Sequence, residues 1–236
     1  MDVEDLRLAV YDSFVAGRSP TIDSLIAATG ASAAEVRSGL AALHQARHVV
    51  LADDGETIRM AHPFTSVPLG FCVMGARTVW FGGCAWDSFA FPHLLPGEAE
   101  VLVATTCAGC GAPHAWVVDT AAPPAGDQVA HFLVPAAHIW DDVVHTCAHQ
   151  RLFCGAGCVD EWLERTGHPR GYVMDLPTLW RLAAHWYDGR LDRGYHRREP
   201  AAAKEYFRSV GLHGSFWGLC RPPVSRHIEC EIPYAR

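Results

Sequence analysis

The N-terminal sixty residues carry a helical rhythm. Leu6, Val10, Phe14 and Val15 fall on one stripe, as an amphipathic first helix requires. Ser19-Pro20 reads as an N-cap and first helical position, and Thr29-Gly30 ends that second helix after a short run. Ser32 and Glu35 have the spacing of a capping box opening a third helix, with Val36, Leu40 and Leu43 on one face. Two short runs, His48 to Leu51 and Thr57 to Met60, then flank Asp54-Gly55, a strong hairpin-turn signal. Three helices and a hairpin in this order predict a winged helix-turn-helix-like module over residues 1–62.

Beyond residue 62 the texture changes to short β-rich runs separated by Gly and Pro, among them Thr78 to Phe81, Val101 to Thr105, Ala115 to Val118 and Val129 to Val134. A helix is expected over Val159 to Arg165, and two more over Leu176 to Tyr187 and Pro200 to Val210, the last closed by Gly211. The expected class is α+β. The winged-helix-like module (1–62) leads into a mixed or antiparallel β-sheet catalytic core with flanking helices (63–174), then a C-terminal helical extension (175–217) and a tail (218–236).

Composition narrows the function. Half of the 236 residues are apolar, enough for a substantial core. No apolar run reaches the length of a membrane span, and Asp2, Glu4 and Asp5 replace the basic start of a secretory signal, so a cytoplasmic location away from membranes is expected. A net charge of −7 argues against a protein devoted to nucleic acid. The first 62 residues hold nine acidic residues against five basic ones, and the recognition helix offers only Arg37, His44 and Arg47. A structural or interaction role for the module is therefore favoured over DNA binding.

Nine cysteines are too dispersed for a compact disulfide framework and are better read as metal-handling or catalytic thiols. Cys84 stands three residues before Asp87, a spacing that puts thiol and carboxyl on one side if the chain turns helically. Cys147 has no partner nearby in sequence and is expected near a strand end or in a loop. Cys107-x-x-Cys110 is a knuckle-like turn, with Cys154-x-x-x-Cys158 downstream. Four thiolates can hold a structural zinc. The downstream spacing is unusual for a zinc ribbon, so reduced, partly buried thiols and no cofactor are the favoured expectation. Cys220 and Cys230 in the tail receive no role.

Several strings resemble the alkylmercury lyase family. Cys84-Ala85-x-Asp87-x-x-x-Phe91-Pro92 is similar to the family's core motif, in which the cysteine and the aspartate are both catalytic. Thr106-Cys107-Ala108-x-x-Gly111-Ala112-Pro113 resembles the segment carrying a structural cysteine, and Thr146-Cys147 falls where the second catalytic cysteine is found. Alignment from Pro135 and Phe153 favours Cys147 over Cys154 for that place. The thiols Cys110, Cys154 and Cys158 and the helical extension ending at Trp217 depart from the family's minimal pattern.

The resemblance implies cleavage of a carbon–mercury bond by protonolysis. Cys84 and Cys147 would bind the metal together with Asp87, which would also carry the proton. Mercury is substrate and product rather than cofactor. The implied partners are organomercurial small molecules, soluble thiols and a mercuric reductase. The competing class is a thiol-based metal carrier, which needs soft ligands but no acid beside them. A metal-responsive regulator would need a basic surface that the sequence lacks.

Overall fold

A computed structural model describes residues 1–219; the tail beyond, with Cys220 and Cys230, lies outside the described residues. The N-terminal segment forms α1 (Val3–Val15), α2 (Ile22–Thr29), α3 (Ala33–Gln45) and a hairpin of β1 (Val50–Leu51) and β2 (Ile58–Ala61). The capping box of Ser32 and Glu35 is present. The cap of α2 is Thr21 rather than Ser19, because Thr21 and Ser24 make a reciprocal box of their own and leave Pro20 outside the helix.

β3 (Phe64–Thr65), β4 (Phe71–Met74) and β5 (Val79–Gly82) follow, and then α4 (Ala85–Leu94), β6 (Glu100–Thr106), β7 (Pro113–Asp119) and β8 (Val129–Phe132). Next come α5 (Val143–Ala148), β9 (Gln150–Phe153), α6 (Ala156–Thr166), β10 (Tyr172–Asp175), α7 (Leu176–Ala184) and α8 (Pro200–Ser209). The class is mixed α+β, with two antiparallel sheets among the described residues. One has seven strands in the order β1-β2-β3-β5-β4-β6-β7, and the other has three in the order β10-β8-β9. The N-terminal hairpin thus continues the large sheet, and the turn at residues 62–63 joins the paired strands β2 and β3.

Helix α4 is the centre of the packing. Residues Ala85 to Pro92 are all buried, so the helix is enclosed on every side and is apolar there apart from Asp87 and Ser88. The Trp86 indole N–H donates to the Leu182 carbonyl of α7 at 3.1 Å. Trp217, 1% exposed, inserts beside Phe207 with ring centroids 4.9 Å apart and reaches Trp86 at 6.2 Å. The C-terminal extension is therefore part of the core around α4. Among the described residues no helix is long and apolar enough to cross a membrane.

Helix α1 is tied to the loop after α7 by a buried cation. Arg7, 1% exposed, forks onto Glu4 with two bonds of 2.7 Å and also donates to the carbonyls of Arg190 (2.7 Å) and Asp192 (2.6 Å). One turn on, the Tyr11 hydroxyl accepts from Arg190 at 3.1 Å and lies 3.3 Å from the His62 carbonyl. Arg7→Met should therefore destabilise the protein by about 3 kcal/mol, the cost of stranding buried acceptors and an unmatched carboxylate. Urea denaturation followed by tryptophan fluorescence would measure it, and a loss below about 1 kcal/mol would show that water replaces the guanidinium without penalty.

Candidate active site

The glycine pair that ends β5 admits the site. A Cβ on Gly83 would meet the Asp87 Oδ2 at 2.3 Å, and one on Gly82 would meet the Ser88 hydroxyl at 2.1 Å. Only glycine lets the strand run this close to the first turn of α4. Cys84 follows as the N-cap of that helix, its sulfur accepting from the Asp87 amide at 3.4 Å. The helical turn expected between Cys84 and Asp87 is thus present.

Asp87 is buried, at 2% exposure, and its Oδ2 faces both thiols. Cys84 Sγ lies 3.2 Å away and Cys147 Sγ 3.9 Å away. Cys147 comes from α5 rather than from a loop or a strand end. This six-residue helix is capped by Asp142, which accepts from the His145 amide, and its β-branched Val143, Val144 and Thr146 conceal it in the sequence. Cys154, the alternative placement, sits instead with Cys107, Cys110 and Cys158, all four sulfurs lying within 4.8 Å of one another.

Four residues at the site escaped the sequence reading. The Tyr187 hydroxyl donates to Asp87 Oδ1. Gln150 Oε1 lies 2.9 Å from Cys84 Sγ, so the single thiol hydrogen can go to the amide or to Asp87 but not to both at once. His62 Nε2 stands 3.4 Å from Cys147 Sγ. Arg190 lies over the Tyr187 ring, 4.9 Å from its centroid. None has a local signal: Gln150 is 66 residues from Cys84, and Tyr187 is 100 from Asp87. Arg197 and Arg198 line the same cleft, together with Trp140 and Trp186.

Burial governs the protonation of every group here. It lifts the Asp87 carboxyl from its ordinary 3.8 to about 6, against the opposing hydrogen bonds from Tyr187 and the thiols. It also pushes the Cys84 thiol well up, with the contact to Cys147 and the Asp87 charge adding to the effect. At Cys147 the contact with Cys84 pulls down, while burial and Asp87 outweigh it and leave the thiol raised. His62 is held at about 3 by burial, and by Arg190 and Arg197, so the imidazole is neutral at physiological pH. At neutral pH the resting site therefore holds two protonated thiols around one carboxyl whose pKa lies within reach of neutrality.

Such a scaffold and site define a protein that presents two thiols next to a buried carboxyl. The alkylmercury lyase family model matches residues 64–188, just over half of the chain. The chain therefore belongs to the alkylmercury lyase family, and its activity class is that of an alkylmercury lyase. A solved structure described as the mercury-bound form of MerB2 has the same fold, with a TM-score of 0.58 and 23% identity, covering 77% of this chain and 87% of that one. No curated protein sequence gives a significant match.

The raised Asp87 pKa fixes a sign for stability against pH. Between 3.8 and about 6 the folded state keeps a proton that the unfolded chain has released, so Asp87's contribution is fully present below that range and is lost as pH rises through it. Compared with Asp87→Asn, which does not titrate, the parent should lose about 2 kcal/mol of relative stability between pH 4 and pH 7. Chemical denaturation at each pH measures the difference. A flat difference would mean that burial is not what governs the carboxyl.

Proposed function

We propose that this enzyme cleaves the carbon–mercury bond by protonolysis at Cys84, Cys147 and Asp87. The observation that carries the reading is the convergence of two buried thiols on one carboxylate oxygen, at 3.2 and 3.9 Å. A carrier needs soft ligands alone, whereas this cleft sets a carboxyl with a pKa of about 6 between them.

The substrate reaches the cell interior as an organomercury thiolate, R–Hg–SR′, mercury being soft and thiols its preferred ligands. Cys84 bonds to mercury as its proton passes to Asp87, 3.2 Å away, and the outgoing R′S⁻ becomes R′SH by taking up the proton that Cys147 releases as its sulfur joins the metal. Neutral His62, beside Cys147, is placed to relay that second proton. Two thiolates on mercury push electron density onto carbon, and the C–Hg pair takes the proton held by Asp87 to give R–H. Both protons are then accounted for, no redox change occurs, and Hg(II) stays on the two sulfurs until soluble thiols remove it. The Tyr187 hydrogen bond fixes the carboxyl's orientation through Oδ1 and leaves Oδ2 to the thiols. Arg197 and Arg198 in the cleft favour substrates delivered on anionic thiols.

The N-terminal segment, read as a winged-helix-like module, is proposed to serve as scaffold rather than DNA reader. Its three candidate contacts are engaged within the protein. Arg37 pairs with Glu56 at 2.7 Å, Arg47 lies over Trp140 at 5.7 Å, and the His44 ring bonds the β1 backbone. A fluorescence anisotropy titration with duplex DNA at low salt should show only weak, non-specific association. Sub-micromolar, sequence-selective binding would restore the regulator reading.

Cys84→Ser and Cys147→Ser should each abolish hydrocarbon release from phenylmercury, since a hydroxyl cannot replace a thiolate on mercury. Asp87→Asn keeps both sulfurs and loses the proton carrier, so it should hold R–Hg while turnover falls roughly 10²- to 10⁴-fold. Mass spectrometry of the variant should show intact protein carrying R–Hg, and that of the parent should show bare Hg(II). Normal benzene release by Asp87→Asn would remove the proton-carrier role.

A further inference from the structure

A second thiol cluster lies outside the catalytic cleft. Cys84 and Cys147 pack in the main core. Cys107 belongs instead to a small satellite core with Leu133, Phe153, Val159 and Trp162, against which Cys154 and Cys158 also pack. Five buried side chains are a meagre anchor for α6, so this corner has reason to carry another constraint.

The backbone is arranged around the four sulfurs. Cys107 and Cys110 sit on the turn joining β6 to β7, where the Gly111 amide donates to the Cys107 carbonyl at 2.9 Å. Cys154 follows β9, Gly155 is the N-cap of α6, and Cys158 stands within the first turn of that helix. The three-residue gap that looked wrong for a zinc ribbon spans the entry to α6, where the extended N-cap Gly155 and the first helical residues bring the second sulfur to within 4.8 Å of the first. Gly109 is required by close approach, since a Cβ there would meet the Cys158 carbonyl at 2.5 Å. Arg165 of α6 reaches back to the carbonyls of Ala108 (2.9 Å) and Gly109 (3.1 Å), locking the turn onto the helix.

The sulfurs are spaced and solvated as a metal-bound set would be. All four lie within 4.8 Å of one another, with Cys110 and Cys154 3.5 Å apart, whereas the edge of a tetrahedron with Zn–S of 2.3 Å is about 3.8 Å. The Cys154 amide donates to Cys107 Sγ at 3.4 Å, the amides of Gly109 and Cys110 also turn toward that sulfur, and the His114 ring stands 3.4 Å from Cys154 Sγ. Amide N–H groups aimed at sulfur, the α6 N-terminus and Arg165 together offset the negative charge that four thiolates around a divalent ion would leave.

We propose that Cys107, Cys110, Cys154 and Cys158 hold one structural zinc ion that clips the β6–β7 turn to the start of α6. Four protein sulfurs fill a tetrahedral shell and leave no position for substrate, which separates this site in chemistry from the open pair at Asp87. Binding releases the thiol protons to solvent and involves no electron transfer. The assignment stands independently of the proposed lyase mechanism.

The test uses the full chain, expressed with zinc, never exposed to mercury and purified under a phosphine reductant. Native mass spectrometry and elemental analysis should find about one zinc per chain, and X-ray absorption should show about four sulfurs near 2.3 Å. Cys110→Ser and Cys154→Ser should retain less than about a tenth of that zinc, while Cys84→Ser and Cys147→Ser keep it all. A strong zinc chelator should lower the melting temperature of the parent by about 5 °C. If a serine variant fails to fold, the stoichiometry and sulfur count of the parent still decide. Zinc-free parent protein, two disulfides in place of the four thiols, or zinc that disappears with Cys147→Ser would each overturn the proposal.

Discussion

A carboxyl held in a dry cleft between two thiols sets the terms for the rest of this molecule. Asp87 is buried, and its hydrogen-bond partners are a tyrosine hydroxyl and two sulfurs rather than a cation. The low dielectric raises the carboxyl and both thiols together, so the thiols keep their protons in the resting state while the carboxyl, at about 6, can gain or lose one near neutrality. In the proposed reaction a soft metal changes that balance: a sulfur bonded to mercury no longer needs its proton, and the nearest base is the carboxyl already poised to take it.

Keeping such a group buried makes demands well away from it. Gly82 and Gly83 lack side chains so that β5 can meet α4, and α4 is buried all round so that water stays out. Arg7 and Tyr11 on α1 hold the loop bearing Arg190, and Tyr187 lies three residues before it. The N-terminal helices thus bear on the cleft through Arg7 and Tyr11, a role compatible with their acidic balance and with the pairing of Arg37 to Glu56.

Among the described residues stand two soft-ligand clusters with opposite design. At the cleft, two thiols and a carboxyl leave room for an incoming organic group, and burial keeps the sulfurs protonated until metal arrives. At the β6–β7 turn, four sulfurs converge with amide donors around them, the arrangement of a closed shell. Their assignment to different cores keeps the proposed structural ion apart from the turnover site.

The sequence by itself determined what depends on local spacing and on side-chain chemistry. The amphipathic stripe of α1, the Ser32–Glu35 box, the Asp54-Gly55 turn and the Cys84–Asp87 pair are short-range patterns, and the chain obeys them. Family resemblance also singled out Cys147, which composition alone left as an isolated core thiol. Only the tertiary structure decided the rest. Gln150, Tyr187 and His62 reach the site from β9, from the loop after α7 and from the turn between β2 and β3, and no sequence period links them to Cys84. Cys154 and Cys158 looked mismatched until the chain's entry into α6 brought their sulfurs together. A chain fixes which groups are available and how near neighbours turn, but long-range convergence and burial come from packing, and here those two set the protonation on which the proposed chemistry rests.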